Sequence, residues 1–385
     1  MNFKEYLDAK PLYYDEIDYS RMPRVYEKIK GFLKIPKIIH IIGTNGKGTT
    51  GRFFASALFV NGYSVGHYTS PHILEFNERI WLNGENASSE ILQNAHEELQ
   101  RLLNKEDAEK LSYFEYTTLL AMIIFKECEF VVMEAGLGGE HDATAVFPKT
   151  LTLVTPIAYD HEAFLGSDIK QIATTKLNAI QNNAIIANQR FDEVYEVAKG
   201  LRDKNIIIAD ELLDTEDKKN ILDIAKKLSL VPYLAQNLSL GIAALKFLGI
   251  SYKTDDFKNA RLFGRLSRVA KNVLVDVGHN ALGASSIAEA LAGEKFTLIY
   301  NSYRDKNYRE ILSLLKPIVL NVEIIEVVNQ RVEEIEKIQH ALDELEIKYT
   351  IFKEIKEEQN YLVFGSFSVV EKFLKEHAGV AKYTV

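Results

Sequence analysis

The apolar run Lys37–Ile42 passes directly into Gly43-Thr44-Asn45-Gly46-Lys47-Gly48-Thr49, and a helical pattern follows from Thr49 to about Val60, stopped by Asn61-Gly62. A strand with consecutive apolar residues on both faces must be covered on both, the condition of an inner strand of a parallel sheet. In the loop, glycines let consecutive N–H groups turn towards one anion, and the following helix adds its positive N-terminal end. Lys47 supplies a mobile charge for β- and γ-phosphates, and the Thr49 hydroxyl can bind Mg²⁺. Gly48 separates the lysine from the hydroxyl, a departure from the ordinary G-x-x-x-x-G-K-[ST] spacing. A plain strand-to-helix turn is the competing reading. Lys-Gly-Thr held between a strand and a helix favours a nucleotide site.

The same alternation continues along the chain. Runs at 130–133, ending at Glu134, at 151–157, ending near Asp160-His161, and at 205–209 read as further buried strands. A second series follows residue 260: 273–277, Phe296–Tyr300, 322–327, 349–352 and Tyr361–Phe364, with helical stretches at 333–342 and 368–377. The expected architecture is α/β: an N-terminal domain with a mainly parallel sheet and a phosphate loop, then a smaller Rossmann-like C-terminal α/β domain. The break falls near 255–264, after a helix at 237–248, dividing the chain into 1–260 and 261–385. In such sheets ligands bind at the carboxyl ends of the strands, where the polar residues cluster here.

Composition removes other classes. Hydrophobic residues make up 47% and charged residues 26% of the chain, so a disordered chain is excluded. Lys and Arg number 46 against 54 Asp and Glu, a net charge of −8, which argues against nucleic acid as a partner. The single cysteine, Cys128, can form neither an internal disulfide nor a Cys-rich metal site. The first ten residues are too charged for a signal peptide, and the apolar run 117–125 is too short to span a bilayer and reads as a buried helix. The expectation is a cytoplasmic protein with no membrane partner.

The variant loop is similar to the TNGKGS/T loop of the Mur ligase superfamily, particularly folylpolyglutamate synthase and dihydrofolate synthase. Residues 40–49 (HIIGTNGKGT), 68–84 (YTSPHILEFNERIWLNG), 114–118 (FEYTT), 133–144 (MEAGLGGEHDAT), 160–166 (DHEAFLG) and 172–176 (IATTK) resemble that family's motifs in order. Asn237, Gly264-Arg265, 276–280 (DVGHN) and Gly365-Ser366-Phe367 follow, more thinly spread.

The resemblance implies an ATP-dependent carbon–nitrogen ligase that adds L-glutamate to dihydropteroate or to reduced folates through an acyl phosphate, releasing ADP and phosphate. It makes 1–260 the ATP-binding domain with the folate pocket and 261–385 the glutamate-ligase domain, acting as a monomer. It implies ATP contacts from Thr44, Asn45, Gly46, Lys47, Gly48, Thr49, Asn237, Arg265 and Asp276. Two Mg²⁺ ions would be held by Thr49, Ser70, Glu134 and His161, hard oxygens plus one imidazole. Lys47, Lys176 and His279 are the implied catalytic residues, with Lys176 carried as N6-carboxylysine, a carbamate made from CO₂. Arg21, Met22, Phe114, Glu115 and Thr118 are placed beside the pterin, and Asn280 and Ser366, with His279, on the amino-acid side.

Each residue has a plainer reading too. Ser112-x-x-Glu115 is a capping box. Ser70 suits a turn before Pro71, His161 a helix entry, Lys176 a helix surface and 276–280 a strand-ending loop. Some positions depart from the family pattern: Glu140, His141 and Ala145 beside the GLGG run, Val277, Gly278 and Ala281 around His279, and Phe263 before Gly264; the stretch 188–232 is also short. These bear on substrate preference more than on ATP chemistry. Two other functions compete. A ligase acting on a cell-wall nucleotide-sugar precursor is opposed by the 114–118 motif and by the loop beginning at residue 43. A GTPase-like switch would use Asn104-Lys105-Glu106-Asp107 to read guanine, but this pattern lies in the charged helical stretch 97–110 and reads as a chance match.

Overall fold

A computed structural model describes residues 2–11 and 18–377. The chain divides into two compact units: Met1–Ala158 with Glu162–Leu230 and Leu234–Arg261, and Tyr159–His161 with Val231–Tyr233 and Leu262–Val385. The two short pieces in the second unit are something a single linear break cannot express.

The first unit is built on strands β1 (Lys37–Ile42), β2 (Val65–Tyr68), β3 (Ile80–Leu82), β4 (Glu85–Asn86), β5 (Phe130–Glu134), β6 (Leu151–Val154), β7 (Asn183–Ile186) and β8 (Asn205–Ile208). Their order is β4-β3-β2-β5-β1-β6-β7-β8, parallel from β2 to β8, with β3 and β4 antiparallel at one edge. β1 lies between β5 and β6, and Ile41 pairs with Glu134. Both faces are covered. Ile38 packs into a cluster with the buried helix Tyr113–Ile124, whereas Ile39 and Ile41 pack with the helices Lys47–Val60 and Pro232–Phe247. Full burial of an aliphatic side chain contributes roughly 1.5–3 kcal/mol, so the alternation along β1 fixes its register strongly.

The second unit has β9 (Ser267–Ala270), β10 (Val273–Val275), β11 (Phe296–Tyr300), β12 (Val319–Ile324), β13 (Tyr349–Ile351) and β14 (Tyr361–Phe364), ordered β13-β12-β11-β14-β10-β9. All neighbours are parallel except β9, which runs antiparallel to β10 at the edge. Leu274, Leu298, Tyr300, Leu362 and Phe364 share one apolar cluster with helices Ala281–Ala290, Tyr308–Leu315 and Ile335–Glu344.

Some boundaries differ from the sequence reading. The run 151–157 stops as a strand at Val154, just before Pro156, which has no N–H to give a ladder. The run 322–327 begins three residues earlier, at Val319, and ends at Ile324. Among the described residues no helix is long and apolar enough to cross a membrane; the run 117–125 lies largely in the buried helix Tyr113–Ile124.

Candidate active site

The loop after β1 is shaped by two glycines in the left-handed region. Gly43 has φ +134° and a Cβ there would collide with Thr155. Gly46 has φ +90°, begins the helix Lys47–Val60, and a Cβ would collide with Oδ1 of Asn237. No other residue suits both constraints. The loop is pinned to the segment following β6: the Thr44 N–H donates to Pro156 O at 2.9 Å, and the Thr44 hydroxyl donates to Ala158 O at 3.1 Å and accepts from Ala158 N–H at 3.0 Å.

Lys47 folds back over this loop. Its Nζ donates to Thr44 O at 3.2 Å and Gly43 O at 3.4 Å, and lies 3.7 Å from Glu134 Oε1. Glu134 ends β5 with its other oxygen accepting from the Thr69 hydroxyl and from Ser70 N–H, the latter at 3.2 Å. Thr49 Oγ1 is buried with no hydrogen-bond partner. A buried hydroxyl left unsatisfied costs free energy unless something fills its coordination. A hydroxyl and a carboxylate of this kind fit a hard cation that keeps most of its ligands as water and phosphate oxygens. Among the described residues no three His, Cys, Asp or Glu side chains gather as a metal cluster, so a cation here would need hydroxyl and ligand oxygens.

Lys176 lies on the helix Ile169–Leu177, is buried, and donates from Nζ to Gly43 O at 3.1 Å. The surface-lysine reading is therefore corrected: the side chain points inward to the phosphate loop. The glycine run 136–139 packs against this helix, since a Cβ on Gly139 would press on the backbone of Lys176. Asp142 holds that run by accepting from Gly136 N–H at 3.0 Å and Leu137 N–H at 2.9 Å. Burial pushes its carboxyl above the usual carboxylate range despite these bonds. Sequence reasoning quoted Asp142 within a motif but gave it no task.

At the proposed pterin side, Glu115 bears out its capping-box reading and has a second partner. It closes the capping box with Ser112, accepting from Ser112 N–H at 2.7 Å, and accepts from Arg21 Nε at 2.6 Å. Phe114 stacks on Tyr68 with centroids 5.8 Å apart and packs against Gly136. Thr118 is fully buried and donates to Tyr68 OH at 3.3 Å, while Met22 sits in the same core cluster. The pattern at Asn104 is a helix start: its side chain accepts from Asp107 N–H at 2.8 Å, and Asp107 pairs with Lys28 at 2.6 Å.

The second unit gathers its polar residues at strand ends. Asp276, just after β10, accepts from Tyr233 OH at 2.9 Å, Leu266 N–H at 2.8 Å and Gly278 N–H at 2.8 Å. Burial raises its carboxyl against the pull of Arg265. Arg265 lies over the Phe367 ring at 5.4 Å. Asn280 and Ser366 are each helix N-caps, accepting from Gly283 N–H at 2.9 Å and Val369 N–H at 3.2 Å. His279 Nδ1 is 3.0 Å from Val277 O. His161 groups with this unit rather than with Thr49, Ser70 and Glu134; its φ is +54° and its backbone N–H donates to Asp160 Oδ1 at 2.9 Å. The acid Asp160 and its partner Lys306 had no role in the sequence reading. Asp160 stands one residue before the implied ligand His161, which was the available signal; Lys306 lies outside every motif.

A crystal structure of Helicobacter pylori folylpolyglutamate synthetase is 37% identical to this chain, covers 98% of both chains and superposes with a TM-score of 0.78. The dihydrofolate synthase/folylpolyglutamate synthase of Bacillus subtilis (strain 168) is 29% identical over 360 residues, covering 82% of this chain and 84% of that protein. The fold is also shared with E. coli FolC in complex with DHPP and ADP, at 24% identity, 98% coverage of each chain and a TM-score of 0.81. No family model matches the chain.

Proposed function

Because the chain belongs to the folylpolyglutamate synthase/dihydrofolate synthase family, we propose that it joins the amino group of L-glutamate to the carboxylate of dihydropteroate or of a reduced folate, using ATP. It is an ATP-dependent ligase of the Mur fold. The observation that carries the reading is 37% identity across 98% of both chains, with the phosphate loop held open by Gly43 and Gly46.

A carboxylate resists attack by an amine, so it must first be activated. Its oxygen attacks the γ-phosphorus of ATP, the bond to the β-phosphate oxygen breaks, and ADP leaves. The glutamate nitrogen then attacks the acyl carbon, phosphate departs, and the nitrogen loses a proton. The protein's work in the first step is positioning and charge neutralisation. In this reading Lys47 swings from its own loop carbonyls to the β- and γ-phosphates. The N–H groups of Gly46, Gly48 and Thr49 with the helix end hold the triphosphate, Thr44 and Asn45 shape the loop through their N–H bonds to Pro156 O, and Asn237, Arg265 and Asp276 complete the nucleotide contacts. Thr49, Ser70 and Glu134 would hold Mg²⁺, with His161 as the imidazole donor of the proposed pair of ions. The bound metal supplies charge neutralisation at the phosphates. Arg21, Met22, Phe114, Glu115 and Thr118 are the proposed pterin residues, and His279, Asn280 and Ser366 face the amino acid.

Lys176 is proposed as the carbamate-bearing lysine. Its burial beside the phosphate loop supports this, because burial favours the neutral amine that attacks CO₂. Mass spectrometry under native conditions with labelled bicarbonate would detect the carbamate, and retained turnover in Lys176→Ala would overturn its role. The reading includes a cytoplasmic monomer, checked by light scattering.

The function is tested by phosphate release from ATP with dihydropteroate or tetrahydrofolate, with and without L-glutamate, followed by product mass. The expected result is glutamate-dependent phosphate release and an acceptor heavier by one glutamyl residue. Nucleotide hydrolysis that ignores both acceptor and glutamate would overturn it and favour a switch protein.

A further inference from the structure

Asp160 is a buried carboxylate, its side chain 6% exposed, at the centre of a cluster in the second unit. Oδ1 accepts from Lys306 Nζ and from the His161 N–H. Oδ2 accepts from Asn280 Nδ2 at 3.1 Å and lies 3.7 Å from His279 Nε2 and 3.9 Å from His161 Nε2. Lys306 is buried too, 4% exposed, and sits 3.1 Å from Asp305, which also pairs with Arg331.

The geometry separates two tasks. An ion pair that only stabilised the fold would need Lys306 and Asp160 alone, and buried pairs are weak stabilisers. Here the second oxygen is given to the residues that follow β10. Asn280 commits its carbonyl oxygen to Gly283 N–H at the helix cap, so its amide is fixed towards Asp160. His279 is held from one side by Val277 O and faces Asp160 on the other.

We propose that Asp160, anchored by Lys306, is a positioning residue that fixes how His279 and Asn280 present themselves to the amino-acid donor. This rests on the functional reading above, in which the donor is an acidic amino acid. A side chain that orients residues touching a ligand affects function without touching the ligand; partners of metal-ligating residues do so by about 10–100-fold.

The test is steady-state kinetics of Asp160→Asn, Asn280→Ala and the double variant, with KM for L-glutamate and KM for ATP read separately. In Asp160→Asn the glutamate KM should rise about 10–100-fold while the ATP KM stays within about twofold. The double variant should be little worse than the more damaged single variant, because the two groups act as a unit. An unchanged glutamate KM, equal rises in both KM values, or strictly additive effects would each overturn the proposal. Should Asp160→Asn alone fail to fold, because Lys306 is left buried without its counter-charge, the same comparison is made between Lys306→Met and Asp160→Asn/Lys306→Met, which differ only at Asp160. If the unaltered chain itself shows no glutamate-dependent phosphate release, the functional reading fails instead.

Discussion

Lys47 Nζ lies 3.7 Å from Glu134 Oε1, at the end of two neighbouring strands whose register sets Ile41 opposite Glu134. The pair joins the start of the helix that follows β1 to the end of β5, so the mobile cation and the fixed anion of the proposed phosphate site are held together by neighbouring elements of the sheet. Glu134→Gln keeps the shape and an acceptor for Ser70 N–H but removes the charge. Turnover should fall about 10²–10³-fold, with an unchanged circular-dichroism spectrum and a raised magnesium requirement. Near-normal turnover at ordinary magnesium would count against a metal role for Glu134.

Gly46→Ala should lower stability by about 1–3 kcal/mol and abolish nucleotide binding, because φ +90° strains any L side chain. Gly46→Ala/Asn237→Ala removes the collision but leaves the backbone strain. Thermal unfolding with and without ADP should show partial recovery of the midpoint and no recovery of the ADP-induced shift.

Lys149 is buried with its Nζ donating to Phe147 O at 2.6 Å and Ala145 O at 2.7 Å, and burial lowers its pKa to about 8, opposed by Asp142. Between about 8 and the ordinary lysine value of 10.5 the unfolded chain binds more protons at this site. Raising pH through that window therefore stabilises the fold, and the cost of burying the charge is fully present below it. Urea midpoints measured across the window should show the stability of Lys149→Met relative to the unaltered chain declining as pH rises. A pH-independent difference would refute the assignment.

Asn104→Ala should cost about 1 kcal/mol of stability through loss of a helix cap, and leave the preference for ATP over GTP untouched. A change in base preference would revive the guanine-reading interpretation that the capping geometry displaces.

Long apolar runs made much of the α/β architecture legible. β1, β5, β11 and β14 stand where runs dominated by aliphatic and aromatic residues announce them. β2 escaped because Gly66 and His67 break its apolar pattern; Gly66 is required where Phe125 packs against the strand. β7 is four residues long and framed by Asn182-Asn183 and Asn188, which read as a turn. The groups around Glu134 were visible because they adjoin glycine-rich or strand-ending motifs. Asp160 and Lys306 were not, since their importance lies in partners distant in sequence: Lys306 meets Asp160 across 146 residues. Asp142 bonds to the nearby N–H groups of Gly136 and Leu137, a loop conformation that no spacing rule announces. Local patterns report backbone shape well and long-range charge pairing poorly.

Two of the residues proposed to face the amino-acid donor, Asn280 and Ser366, also start the helices behind them. Changing the donor by mutating these positions would therefore unsettle the scaffold at the same stroke, about 1 kcal/mol for each cap lost. Engineering of an altered ligase would do better to exchange Asn for Asp, or Ser for Thr, which keep the cap oxygen, than to truncate to alanine. If these two residues face the donor as proposed, the same coupling would limit how far natural variants drift in donor choice without compensating changes elsewhere in those helices.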